Sequence, residues 1–244
     1  MNDQFGYFCK KDVCKIEIKE GKNIHYAFNN RISNFQKFQI IATQPFAYLF
    51  YQRSKLVLHG SAIEINGRAF LFIGISTSGK SFFASNLLDN SKLITEDICV
   101  IDMIDDSFYV RPSIPIIKLD NPSIISSKNI KSEHKLIDKR NRKAVFLENS
   151  KFSSNSIKIE ACFVLSFSNK FSIKKTGFDK SFASMLLSSF KSNPALSSKI
   201  HDSEIHKKIG NLLNTIPLYN VNRDKNFNDF NLISTFINKT FFNG

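Results

Sequence analysis

Glycine is scarce in this chain of 244 residues, at only nine positions. That excludes a collagen-like or glycine-rich low-complexity chain, and it makes the place of each glycine informative. Cysteine is scarce too. Cys9, Cys14, Cys99 and Cys162 are too few for a disulfide scaffold, and no two stand at the C-x-x-C spacing of a metal site. Long apolar runs are missing: the longest nearly unbroken one, Ala69 to Ile75, is far too short to cross a bilayer, so no membrane span is expected. The first residues, MNDQFGYFCKKD, lack the apolar core of an export signal. With so few cysteines, a reducing cytoplasm is the expected location. No internal repeat or long linker divides the chain.

What is present is ordinary globular composition, with 42% hydrophobic and 23% charged residues and enough length to bury a sizeable core. Lys+Arg at 34 against Asp+Glu at 21 gives a net charge of +13 and a pI near 9.6. Such a balance raises the question of a nucleic-acid or membrane-surface partner. Lysine (27) far outnumbers arginine (7), however, and Phe, Ile, Asn and Ser are all abundant, as an AT-rich coding sequence produces without any polyanion. Basic and aromatic residues do not interleave in a nucleic-acid motif, so neither nucleic acid nor membrane is expected as a partner.

Residues 13–18 and 24–28 alternate around the turn EGKN and predict a hairpin. Thr43-Gln44-Pro45 opens a predicted helix. Residues 56–74 read as two or three strands, with Asn66-Gly67 as the tight turn. A helix over 80–89 and a strand over 93–102 follow, an order that implies a parallel crossover unit. The segment 105–156, broken by Pro112, Pro115 and Pro122, reads as loops with short strands. It also carries the densest basic cluster, Lys128, Lys131, Lys135, Lys139, Arg140, Arg142 and Lys143. A buried strand is predicted at 157–167, helices at 181–190 and 203–215 (Ser203 as N-cap), a strand at 217–221, and a closing helix around Phe230, Ile233, Phe236 and Ile237.

One motif carries chemistry. Gly74-Ile75-Ser76-Thr77-Ser78-Gly79-Lys80-Ser81 matches G-x-x-x-x-G-K-[ST] in full, where this composition predicts about 0.005 chance matches. An apolar strand precedes it and a helical stretch follows, as a phosphate-binding loop requires. Backbone N–H groups of residues 75–80 can surround phosphate oxygens, Lys80 can reach the β- and γ-phosphates, and the Ser81 hydroxyl can ligate Mg²⁺. Glycine at 74 and 79 permits close backbone approach. Glu96-Asp97 lies on the next predicted strand, which in a parallel crossover can lie beside the loop strand. One carboxylate could hold Mg²⁺ and the other take a proton from an attacking hydroxyl. His59, at the end of another strand, is a further candidate to face the same pocket.

Taken together, His59-Gly60-Ser61, the Asn66-Gly67 hairpin, the loop Gly74–Ser81 and the pair Glu96-Asp97 resemble the catalytic domain of HPr kinase/phosphorylase, and more closely the short HPr-kinase-like proteins. The resemblance is motif-specific over residues 56–102. It implies an α/β fold shared with phosphoenolpyruvate carboxykinase, a P-loop-containing mixed sheet with flanking helices. It divides the chain into residues 1–55, a hairpin and helix packed on the core, and residues 56–244, the catalytic domain. It further implies ATP and Mg²⁺ as cofactors, a serine of a small protein or peptide as acceptor, His59 as an active-site histidine, Glu96 as general base, Asp97 and Ser81 at the metal, and kinase rather than phosphorylase chemistry. The family has two aspartates where this chain has Glu96-Asp97, so the base is one methylene longer. That departure motivates the alternative of a nucleotide-binding accessory or sensor without phosphotransfer. The oligomeric state is left open, with a homo-oligomer among the alternatives.

Overall fold

The computed structural model describes residues 5–135, 142–189, 202–224 and 230–243. The chain begins with β1 (Phe5–Lys10), β2 (Cys14–Lys19) and β3 (Asn23–Phe28), an antiparallel sheet in that order. The expected hairpin is therefore the second half of a three-stranded sheet. Alternation puts Cys14, Ile16 and Ile18 of β2 on the buried face. Helix α1 (Asn34–Ile41), which the apolar pattern did not announce, is started by a capping box. Ser33 Oγ accepts from the Gln36 amide, and the Gln36 side chain accepts from the Ser33 amide. Helix α2 (Gln44–Gln52) begins where the proline at its second position predicts.

The central sheet comprises β4 (Leu56–Ile65), β5 (Arg68–Ile73), β6 (Lys92–Ile104), β7 (Ser107–Val110), β11 (Ile157–Phe167), β12 (Ser172–Lys175) and β13 (Leu218–Arg223). Its order is β12-β13-β11-β5-β4-β6-β7, and β7 reaches round to pair again with β11 through Ile157–Val110 and Lys158–Tyr109. β11 runs parallel to both β5 and β13, and the remaining neighbours are antiparallel, so the sheet is mixed. Asn66 and Gly67, both at positive φ (49° and 76°), make the predicted tight turn between β4 and β5. One expectation is corrected here. β6 runs parallel to β5 but is not its neighbour, because the longer strand β4 lies between them and pairs with both. The hairpin therefore inserts a strand into the crossover, and the carboxylates approach the loop across β4.

Helix α3 (Lys80–Asn86) follows the loop after β5, and a single 3₁₀ turn, Leu88–Asn90, completes the segment expected to be helical to 89. The proline-rich middle forms a second antiparallel sheet, in the order β8 (Ile116–Leu119), β10 (Lys143–Leu147), β9 (Ile130–Lys135). Ile117, Leu119, Val145 and Leu147 of that sheet pack into one core with Phe72, Phe83 and Phe163. The C-terminal region adds α4 (Phe178–Ser188), α5 (Asp202–Thr215) and α6 (Asn231–Phe241). α5 begins before Ser203, which lies in its first turn rather than at the N-cap. Lys139 and Arg140 of the basic cluster lie outside the described residues, as does Phe190.

The first 55 residues share a core with the central sheet. Ile16, Ile18 and Tyr48 pack with Leu58, Leu71, Ile94 and Cys162 in one apolar cluster. Tyr48 of α2 is fully buried, stands edge-on to Phe8 at 5.9 Å between ring centroids, and donates its hydroxyl to the Phe5 carbonyl at 3.3 Å. A Cβ on Gly6 would collide with its ring. Tyr48→Ala is expected to destabilise the protein by about 3–5 kcal/mol, the cost of truncating a large buried aromatic. A shared core predicts that the loss appears in a single cooperative urea transition. Two separate transitions would make residues 1–55 an independent folding unit.

Candidate functional site

The loop between β5 and α3 turns on two glycines. Gly74 has φ +141° and Gly79 has φ +86°, and Thr77 between them is also left-handed at φ +71°. A Cβ at Gly74 would stand 2.8 Å from the Leu165 carbonyl, and one at Gly79 would strike the Arg223 guanidinium. Only glycine fits at either place. The Ser78 amide donates to the Ile75 carbonyl at 3.1 Å, which closes the loop on itself. Ile75, Ser76 and Thr77 are exposed while Ser78 and Lys80 are buried. The Lys80 ammonium is folded back onto the loop, donating to the carbonyls of Gly74 (3.1 Å) and Ile75 (3.0 Å).

Ser81, in the first turn of α3, donates to Glu96 Oε1 at 2.6 Å, a short charge-assisted bond that ties the loop helix to β6. Next to Glu96, Asp97 has a left-handed backbone (φ +72°) inside a strand, a costly conformation for a residue with a Cβ. Two bonds hold it there. Buried Thr95 reaches past it, its hydroxyl donating to the Ile98 carbonyl at 2.6 Å, and His59 Nδ1 lies 3.0 Å from the Asp97 carbonyl. A carbonyl only accepts, so Nδ1 carries the proton of the neutral ring.

Successive side chains in a strand ordinarily point to opposite faces. Here both carboxylates reach one cation, Lys118 of β8. Its ammonium donates to Asp97 Oδ2 and stands 3.9 Å from Glu96 Oε2. Both are in range because the left-handed step at Asp97 breaks the alternation. The two acids differ in exposure. The Glu96 side chain is 3% exposed and that of Asp97 is 25%.

Their proton affinities diverge accordingly. Burial, together with the Asp97 charge, pushes the Glu96 carboxyl up to about 7, against opposition from Lys118 and the Ser81 hydrogen bond. Burial also works against ionised Asp97, but Lys118 and His59 outweigh it and hold that carboxyl below its ordinary range. Burial and the nearby Lys80 lower His59. Lys118, desolvated yet facing two acids, is raised.

His59, Asp97 and Lys118 line a polar cavity of about 750 Å³, whose walls also include Ser61, Thr77, Lys80, Ser81 and Arg142. The structure thus brings His59, Lys80, Ser81 and Asp97 onto that cavity, with Ser76, Thr77 and Gly79 beside them, and Glu96 is joined to them through Ser81. Ser81 meets Glu96, whereas Asp97 meets Lys118 and His59. Ser61, directly opposite Glu96 in the β4–β6 register, is buried and its hydroxyl has no hydrogen-bond partner among the described residues.

No family model matches this sequence, and no curated protein matches it. Among solved structures, the chain is similar to the Hpr(Ser) kinase/phosphatase from Coxiella burnetii. The TM-score is 0.42 at 11% identity, covering 75% of this chain and 88% of that one. At that level the chemistry has to be argued from this chain's own residues.

Sequence reasoning missed two of those residues. Lys118 is one, and its signal was present, since a single lysine interrupts the apolar strand Ile116–Leu119. A charge inside a buried strand asks for a partner. The other is Arg223, at the end of β13. Its guanidinium is buried between the rings of Phe83 (4.9 Å) and Phe167 (4.8 Å) and donates to the Ser78 carbonyl at 2.8 Å. Nothing in its local sequence marks it, because the loop it clamps lies 145 residues away.

The Glu96 shift has a consequence for stability. A carboxyl whose folded value is raised from 4.5 to about 7 favours the fold while protonated, and that contribution is lost as pH rises through about 7. Glu96→Gln should therefore flatten the decline in urea stability between pH 5 and pH 8 and stabilise the protein at the upper end (about those two pH values). An unchanged slope would show that Glu96 titrates normally.

Proposed function

We propose that this protein is a phosphotransferase that moves the γ-phosphate of ATP, with Mg²⁺, to a serine hydroxyl of a small protein or peptide. One observation carries the reading. A complete phosphate-loop motif, with glycine where no Cβ fits, is joined by the Ser81–Glu96 hydrogen bond of 2.6 Å to a strand bearing two carboxylates with opposite proton affinities. The resemblance of residues 56–102 to HPr-kinase-like catalytic domains supports the same reading.

Each residue has a task that its surroundings fit. Lys80 binds phosphate oxygens as a point charge in place of the two loop carbonyls it now holds. Ser81 and Asp97 are hard oxygen donors on one cavity wall, the type that Mg²⁺ takes. The metal, when bound, neutralises charge on the phosphate oxygens. Glu96, with a value near 7, accepts the proton of the acceptor hydroxyl. Lys118 offsets part of the repulsion between the two adjacent acids. His59, neutral and bonded through Nδ1, holds the Asp97 backbone and forms part of the cavity wall.

A second reading rests on the Lys118–Asp97 pair. A lysine already hydrogen-bonded to the metal-side carboxylate competes with Mg²⁺ there, as a nucleotide-binding sensor without transfer would tolerate. Labelled ATP offered with serine-containing peptides distinguishes the two. Under the first reading Lys80→Ala lowers transfer by about 10²–10³-fold, as loss of one charge-stabilising donor does. Glu96→Gln lowers it by about 10²–10⁴-fold while ATP still binds. ATP binding without transfer to any peptide supports the second reading, and no ATP binding by the unmodified protein defeats both.

The pH profile adds a signed test. The rate should rise with pH through an apparent value near 7 as Glu96 loses its proton. Lys118→Ala removes a cation that lowers Glu96, so the rising limb should move to higher pH. A shift to lower pH would exclude Glu96 as the titrating base.

A further inference from the structure

Behind the Glu96–Asp97–Lys118 cluster lies a second cavity, of about 270 Å³. It differs from the first in size and in chemistry. Phe38 of α1, Phe46 and Phe50 of α2, Ile98 of β6 and Ile116 of β8 form its walls, and Glu96 and Lys118 supply charge. Lys118 lines both cavities, while Asp97 faces the polar one and Glu96 the second. Arg111, also in the wall, is engaged by Asp102. Phe38 and Phe46 are each 39% exposed, which leaves the apolar walls open to solvent.

Size and lining decide what can enter. A nucleotide triphosphate is too large and too charged for a small aromatic chamber, whereas the polar cavity of about 750 Å³ has both the room and the cations. A purely apolar molecule would leave Glu96 and Lys118 facing hydrocarbon. An occupant that satisfies both ends carries a large apolar side chain for the phenyl and isoleucine walls and a polar group for the carboxylate. A peptide with a hydroxyl residue beside a bulky apolar one has that chemistry.

We propose that this chamber binds a large apolar side chain, such as Phe, Leu or Met, of the peptide acceptor, adjacent to the residue whose hydroxyl meets Glu96. The role as acceptor pocket rests on the phosphotransfer reading above, whereas the preference for an apolar side chain does not. The consequence is substrate selection. Serine peptides with a bulky apolar neighbour are favoured over those with a charged one, because the chamber offers hydrophobic contact, while Glu96, Lys118 and Arg111 at its walls are already engaged by Ser81, Asp97 and Asp102.

The chain has no tryptophan, but Ile98, Val100, Ile114 and Ile116 all line the chamber and report on it through their methyl groups. Methyl-labelled full-length protein is titrated with N-acetyl-phenylalaninamide and N-acetyl-leucinamide, and with N-acetyl-glutaminamide as the polar control. The expected result is saturable movement of the Ile98 and Ile116 methyls with the two apolar probes and none with the control. Val100→Phe, which fills the chamber, should weaken probe binding at least about tenfold. If that variant loses its native methyl spectrum, Phe46→Ala, at a half-exposed wall position, should weaken the phenylalanine probe instead.

Two results overturn the proposal: probes that leave these methyls unmoved, or ATP that displaces the probes and so occupies the chamber itself. The two readings fail separately. ATP binding without probe binding removes the chamber proposal alone. Probe binding without ATP binding removes the phosphotransfer reading and leaves an apolar side-chain pocket.

Discussion

The left-handed backbone at Asp97 is the constraint on which the candidate site depends. A regular β6 would send Glu96 and Asp97 to opposite faces, and only one could have met Lys118. With φ at +72° both acids converge on that lysine, while Glu96 also takes the Ser81 hydrogen bond. Such a conformation persists only when its surroundings over-determine it. Thr95 from within the strand and His59 from β4 supply the two bonds that do so. His59 therefore acts as a brace for the backbone as well as a cavity wall.

The same principle operates at the loop. Gly74 and Gly79 allow positive φ, but allowing a conformation does not select it. Selection comes from Arg223, whose guanidinium is clamped between Phe83 and Phe167 and aimed at the Ser78 carbonyl. Burial of a guanidinium is costly, and here the aromatic faces and the carbonyl offset that cost. Phe83 belongs to the helix that carries Lys80 and Ser81, so one packing unit places the loop and both of those side chains.

Charge is used locally. Most of the +13 surplus is lysine spread over the chain. At the site, Lys80, Lys118 and Arg142 gather on one polar cavity, and the two acids sort by exposure into one held ionised and one held near neutrality. Glu96 is the hinge between environments, since it touches the polar loop through Ser81 and also lines the apolar chamber under α1 and α2. Phe38, Phe46 and Phe50 thus build walls beside Glu96 and Lys118, so α1 and α2 take part in the architecture around the cluster.

The sequence by itself determined the phosphate-loop pattern and the elements around it. The reason is that these signals are local. The glycine spacing of Gly74 and Gly79, the Asn66-Gly67 turn and the apolar strand at 157–167 each record a constraint met within a few residues. It also placed Glu96-Asp97 near the loop, although the expectation that their strand adjoins β5 failed because β4 pairs with both. Only the tertiary structure decided which acid meets Ser81, that Lys118 joins them, that Arg223 secures the loop and that an apolar chamber opens behind Glu96. Those relations link residues 15 to 145 positions apart, through a broken strand alternation and a sheet order that no periodicity encodes.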